Sequence, residues 1–190
     1  MGKKAELALQ QNQFNIATFN VRGLVKKYKQ ESLSKDINTY KIDVCCLQEC
    51  KTKEKSDRTL DNGNRLILMG ADNISYGNGF IISDKWKNSV HRCWKISERI
   101  SVLQLKTSKS KEKQSTIQPY VTKLNGTQMT FTKNKMYDHI ITIVNVYAPT
   151  SERANKFPNE ITEFYAQLSK ITSDLKKLAT SIVFIAGDFN

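Results

Sequence analysis

S181-I-V-F-I-A-G-D-F-N190 is the stretch on which the fold turns. Ile182, Val183, Phe184, Ile185 and Ala186 form an apolar run of strand length, which predicts a buried strand from Ile182 to Gly187. Gly187 punctuates it, and Asp188 and Asn190 follow, two polar side chains separated by Phe189. In an extended segment, residues two apart project to the same side, so the strand is expected to present a carboxylate and an amide together.

The same design recurs upstream. F14-N-I-A-T-F-N20 is strand-like and ends at Asn20, with Gly23 marking the turn beyond it. Leu33, Ile37 and Tyr40 recur at helical spacing, and V44-C-C-L-Q48 reads as a second strand, delivering Glu49. Residues 65–69, 79–83, 90–96 and 99–105 follow at short intervals with turn residues between them, predicting antiparallel hairpins. I140-I-T-I-V-N-V-Y147 is the clearest strand and closes on Ala148-Pro149-Thr150. A helix is expected over 159–179, capped by Asn159, with Ile161, Phe164, Tyr165, Leu168, Ile171, Leu175 and Leu178 along one stripe.

The chain has 190 residues, enough for one domain with a proper core. Residues 1–12 read as a flexible leader and 13–190 as the domain. Within it, 106–139 form a basic loop in which seven lysines stand against Glu112 and Asp138. The formal net charge is +12, so the field of the protein attracts polyanions, nucleic acid first among them. Cys45, Cys46, Cys50 and Cys93 lack the spacing of a zinc site, and Cys45 and Cys46 read as reduced core residues. That fits a nuclear or cytoplasmic protein, not a secreted one. No stretch has the ~18 to 20 apolar residues of a membrane span. Trp86, Trp94 and His91 read as packing or solvent-facing residues.

Four strands thus finish on residues useful in catalysis: Asn20, Glu49, Tyr147 and Asp188. If those ends share one rim, the residue types suit phosphodiester hydrolysis assisted by a hard cation. Mg2+ takes oxygen ligands, commonly one or two carboxylates with water, and Glu49 supplies one. Asp188 is then available to orient or deprotonate water, while Tyr147 and Arg99 can donate to a phosphate.

Five blocks, TFNVRGL (18–24), DVCCLQECKT (43–52), SERI (97–100), TIVNVYAPT (142–150) and FIAGDFN (184–190), resemble in order those of the exonuclease, endonuclease and phosphatase superfamily. The similarity is greatest to the apurinic-endonuclease-like domains of non-LTR retrotransposons. It implies an α/β fold, a four-layer sandwich of two mixed β-sheets flanked by helices. The implied activity is DNA nicking that depends on Mg2+, with Mn2+ as an alternative, by a monomer whose full-length element carries a downstream reverse transcriptase.

Residue by residue, the resemblance makes Glu49 the metal-binding carboxylate with Asn20 nearby. Tyr147 becomes the phosphate-contacting tyrosine, and Asp188 and Asn190 the pair that positions and activates water. Arg99 and Thr150 fall at phosphate-binding positions. Family members continue past GDFN to a block ending in Asp-His, so the fold is expected to be incomplete at the C-terminus. Asp138-His139 is no substitute, because eight extended residues at ~3.3 Å each place it roughly 26 Å from Tyr147. Two other readings stay open: a nucleic-acid-binding remnant without catalysis, and a phosphatase or deadenylase on the same scaffold.

Overall fold

The structure is a computed structural model that describes residues 14–73, 75–106, 123–124, 127–128, 140–176 and 181–190. Its strands are β1 (Ile16–Asn20), β2 (Val44–Gln48), β3 (Lys55–Thr59), β4 (Arg65–Met69), β5 (Gly79–Ile82), β6 (Val90–Ser97), β7 (Ile100–Lys106), β8 (Lys123–Leu124), β9 (Thr127–Gln128), β10 (Ile140–Tyr147) and β11 (Ser181–Asp188). The helices are α1 (Lys27–Thr39), α2 (Ser151–Lys156) and α3 (Pro158–Lys176).

Sheet one has the order β1-β2-β5-β4-β3, with β1 and β2 parallel and the other pairs antiparallel. Sheet two runs β11-β10-β7-β6, with β10 and β11 parallel and the rest antiparallel. Both are therefore mixed, as expected. Parallel neighbours need a long crossover, and helices supply it in each case: α1 joins β1 to β2, and α2 with α3 join β10 to β11. Among the described residues, β8 pairs only with β9.

Alternation along the strands builds four layers. Val44 and Cys46 of β2, Ile67 and Met69 of β4, and Phe80 and Ile82 of β5 meet Leu103, Leu105, Ile141 and Ile143 between the sheets. On the outer face of sheet one, Cys45, Leu47, Leu66, Leu68 and Ile81 lie under Leu33 and Ile37 of α1. Outside sheet two, Ile100, Val102, Val144 and Val146 pack on Phe164, Leu168 and Leu175 of α3. Strands covered on both faces read as continuous apolar runs, which is why VCCLQ and IITIVNVY were so legible. Each such side chain stabilises the fold by about 1.5 to 3 kcal/mol.

Several expectations are revised. β11 is not a buried strand: Ile182, Phe184 and Ile185 are 40 to 45% exposed, because β11 pairs with β10 alone among the described residues and forms the edge of sheet two. β3, with the sequence KSDRT, carries no apolar pattern and exists through backbone pairing with β4; its charges suit an exposed edge. Tyr40 sits at the C-terminal cap of α1, largely exposed, outside the Leu33–Ile37 stripe. α3 begins at Pro158, so Asn159 lies inside the helix, and Tyr165 is half-exposed, not part of the buried stripe. Leu178 and Asp138-His139 lie outside the described residues, as do 1–12 and most of 106–139. His91 is exposed on β6, and Trp86 packs between the sheets, as expected.

Candidate active site

Parallel strands end on the same side. In sheet one the pairing of β1 with β2 closes at Asn20 opposite Gln48; in sheet two that of β10 with β11 closes at Tyr147 opposite Asp188. β11 lies over β1 and β2, so the two parallel pairs face each other and their ends form one rim.

There the four strand-end residues meet. Asn20 Nδ2 donates to Glu49 Oε1 at 2.8 Å and to Asp188 Oδ2 at 3.0 Å, placing two carboxylates on either side of one amide. Tyr147 donates its hydroxyl to the same Glu49 Oε1 at 2.9 Å. Lys51 Nζ lies 3.3 Å from Glu49 Oε2. Glu49 and Lys51 hold left-handed backbone, φ +52° and +55°, uncommon for residues with a Cβ.

Gly187 explains how Asp188 arrives. Its φ is +152°, and a Cβ there would sit 2.0 Å from the Val146 carbonyl oxygen. Only glycine lets β11 approach β10 this closely one residue before the carboxylate.

Burial by itself pushes the Glu49 carboxyl up, but hydrogen bonds from Asn20, Tyr147 and Lys51, together with the Lys51 charge, outweigh it and hold the group below the ordinary carboxylate value. The same contact works oppositely on the phenol. Burial first, then the hydrogen bond and charge of Glu49, push Tyr147 up to about 12. The rim therefore pairs an ionised carboxylate with a phenol that keeps its proton.

The oxygen chemistry of Glu49, Asp188 and Asn20 fits a hard divalent ion, which accepts a shell of one or two carboxylates completed by water and phosphate. Among the described residues there is no group of three or more His, Cys, Asp or Glu that could hold a metal.

No protein-family model matches the chain, and no curated protein sequence matches it. Solved structures do resemble it. The APE2 catalytic domain of Xenopus laevis superposes with a TM-score of 0.60 at 13% identity, over 92% of this chain and 58% of the other. AP endonuclease LMAP from Leishmania major gives 0.59 at 16% identity, over 92% of this chain and 54% of that one. TDP2 from Caenorhabditis elegans gives 0.53 at 11%, over 93% and 47%. The fold is the exonuclease/endonuclease/phosphatase fold. The chain spans about half the length of these three structures.

On this exonuclease/endonuclease/phosphatase scaffold the remaining expected residues take different positions. Asn190 is not in line with Asp188 on one extended strand, because β11 ends at Asp188 and Asn190 has φ +48°. Its backbone N–H donates to Asp188 Oδ1 at 3.0 Å, and its amide Nδ2 to the Ala148 carbonyl at 2.6 Å. Arg99 is buried beneath the rim. Its Nη1 donates to the carbonyls of Tyr147 and Ala148 at 3.2 and 3.3 Å, its Nη2 lies 3.4 Å from Glu160, and its guanidinium carbon lies 4.4 Å from the Tyr76 ring centroid and 5.1 Å from that of Tyr147. In this geometry the Arg99 guanidinium is engaged by the Tyr147 and Ala148 carbonyls and by Glu160 beneath the rim. The hydroxyl oxygen of Thr150 accepts from Arg153 N at 3.3 Å and caps α2.

Sequence reasoning missed Lys51, although it lies inside the DVCCLQECKT block, because its relevance comes from a left-handed turn that periodicity does not report. It also missed Tyr76, which lies against Arg99, and Glu160, which holds both Arg99 and Arg153.

Proposed function

We propose that this chain is a divalent-cation-dependent phosphodiesterase domain that nicks DNA, of the kind carried by a non-LTR retrotransposon. The observation that carries the reading is the convergence of Glu49, Asp188 and the Tyr147 hydroxyl around the single amide of Asn20. Mg2+ or Mn2+, when bound, polarises a phosphoryl oxygen and neutralises developing charge. Glu49, kept ionised, would hold that ion, with Asn20 orienting the two carboxylates. Asp188 takes the proton of the attacking water, and Asn190 fixes its carboxylate through the backbone N–H bond. Tyr147 retains its proton and so can donate to a phosphate oxygen. The retroelement assignment is supported by the sequence blocks, and DNA as partner by the +12 charge and by the AP endonuclease with this fold. The four free thiols, three of them buried, support a reducing nuclear or cytoplasmic setting.

A second reading, nucleic-acid binding without hydrolysis, is favoured by one fact: the described residues offer no third acidic or histidine ligand beside Glu49 and Asp188. Incubating supercoiled plasmid with the chain and Mg2+, alongside EDTA and a Glu49→Ala variant, separates the two. Nicking lost in both controls supports the enzyme; retarded DNA without nicking supports the binder and ends the hydrolytic reading.

A further inference from the structure

The space between the sheets is apolar except near the rim, where Asn145 of β10 enters it. Asn145 is fully buried, and its Nδ2 crosses to sheet one, donating to the carbonyls of Leu47 at 3.0 Å and Gly79 at 2.9 Å. Its Oδ1 accepts from Gln48 Nε2 at 2.7 Å, and Gln48, also fully buried, accepts from Thr18 Oγ1 at 3.1 Å. One network thus joins β1, β2, β5 and β10. Its members stand next to the rim residues along the chain: Thr18 two before Asn20, Gln48 one before Glu49, Asn145 two before Tyr147.

Burying two amides here costs free energy that leucine or methionine would not, unless their polar atoms are paired. They are paired: all three Asn145 side-chain bonds cross to sheet one, while Gln48 bonds Asn145 across the gap and Thr18 within its own sheet. Apolar contacts between sheets are non-directional and tolerate sliding, whereas hydrogen bonds fix direction and length. A slip of one residue, about 3.3 Å, would part Tyr147 from Glu49 and Asn20 from Asp188.

We propose that Asn145 and Gln48 are positioning residues that set the register between the two sheets and thereby hold the Tyr147 hydroxyl on Glu49. The catalytic consequence rests on the phosphodiesterase reading above; the positioning itself does not. A second buried polar cluster provides the contrast: Asn64 Nδ2 donates to Ser34 Oγ and Asn38 Oδ1, joining sheet one to α1 at the end away from the rim. Among the described residues, its hydrogen bonds do not cross between the sheets.

The test is a set of double-mutant cycles in urea. The shift in unfolding midpoint caused by Tyr147→Phe is measured in the natural chain, in Asn145→Leu, in Gln48→Met and in the control Asn64→Ala. Gln48→Met removes one of the three Asn145 bonds to sheet one and keeps the two donated by Nδ2, to Leu47 and Gly79, and so serves if Asn145→Leu fails to fold. The expected result is a Tyr147→Phe shift at least halved in the inter-sheet variants and unchanged in Asn64→Ala. Equal shifts in all backgrounds overturn the proposal. On supercoiled plasmid, Gln48→Met or Asn145→Leu is expected to lower kcat by about 10²-fold with KM within about twofold, the effect of misplacing a group by ~1 Å, while Asn64→Ala stays within about threefold. Unchanged kcat in the inter-sheet variants overturns the catalytic consequence. Absence of nicking by the natural chain overturns the phosphodiesterase reading instead, and the stability cycles then decide the positioning alone.

Discussion

Tyr147 donates its hydroxyl to Glu49 across 98 residues of sequence and from one sheet to the other, at 2.9 Å. The bond ties the ends of β10 and β2 together at the rim, and it links the protonation of both groups, lowering the carboxylate and raising the phenol.

The first expectation concerns the ion. Two carboxylates on one amide repel each other until a cation arrives, so Mg2+ should raise the melting temperature as a ligand that binds only the folded state. Glu49→Gln should remove that rise and lower nicking by at least about 10²-fold. Thermal melts with Mg2+ and with EDTA read the first effect. An undiminished rise in Glu49→Gln would place the ion elsewhere.

The second concerns pH. Glu49 has a folded value below its ordinary 4.5, so its contribution to stability is fully present above 4.5 and is lost as pH falls through the lower folded value. Urea midpoints in EDTA between pH 7 and 3 should therefore fall less steeply at the acid end for Glu49→Gln than for the natural chain. Tyr147 carries the opposite sign. Its folded value of about 12 exceeds the ordinary 10, so its contribution holds below pH 10 and disappears as pH rises through 12.

The third separates a positioning arginine from one that contacts phosphate. Arg99→Met removes the Arg99 bonds to the Tyr147 and Ala148 carbonyls, leaving Ala148 its bond from Asn190, which should cost about 1 to 3 kcal/mol and slow nicking. The salt slope of DNA binding should stay as it was. A residue in contact with phosphate would instead reduce that slope by about one.

The fourth tests the glycine before the carboxylate. Gly187→Ala forces a Cβ onto the Val146 carbonyl, so β11 must withdraw from β10 and carry Asp188 off the rim. A stability loss above about 2 kcal/mol is expected, with loss of nicking. Gly63 also has positive φ, but the Cβ added there meets a side chain, Asp84, that can rotate away. Gly63→Ala should therefore cost less, by the same urea measurement.

The sequence alone determined the covered strands, the helices between β1 and β2 and between β10 and β11, and the four strand-end residues, because strands buried on two faces announce themselves as apolar runs and the polar residue that ends each run stands out. It also carried the five ordered blocks. Tertiary structure alone decided the rest. β3 owes its existence to pairing with β4, β11 became an edge for want of a second neighbour among the described residues, Arg99 turned inward onto Tyr76 and Tyr147, and Asn145 crossed between the sheets. Periodicity reports the surroundings of a residue over a few neighbours, whereas these outcomes depend on partners many tens of residues away that chain folding alone brings within hydrogen-bonding distance.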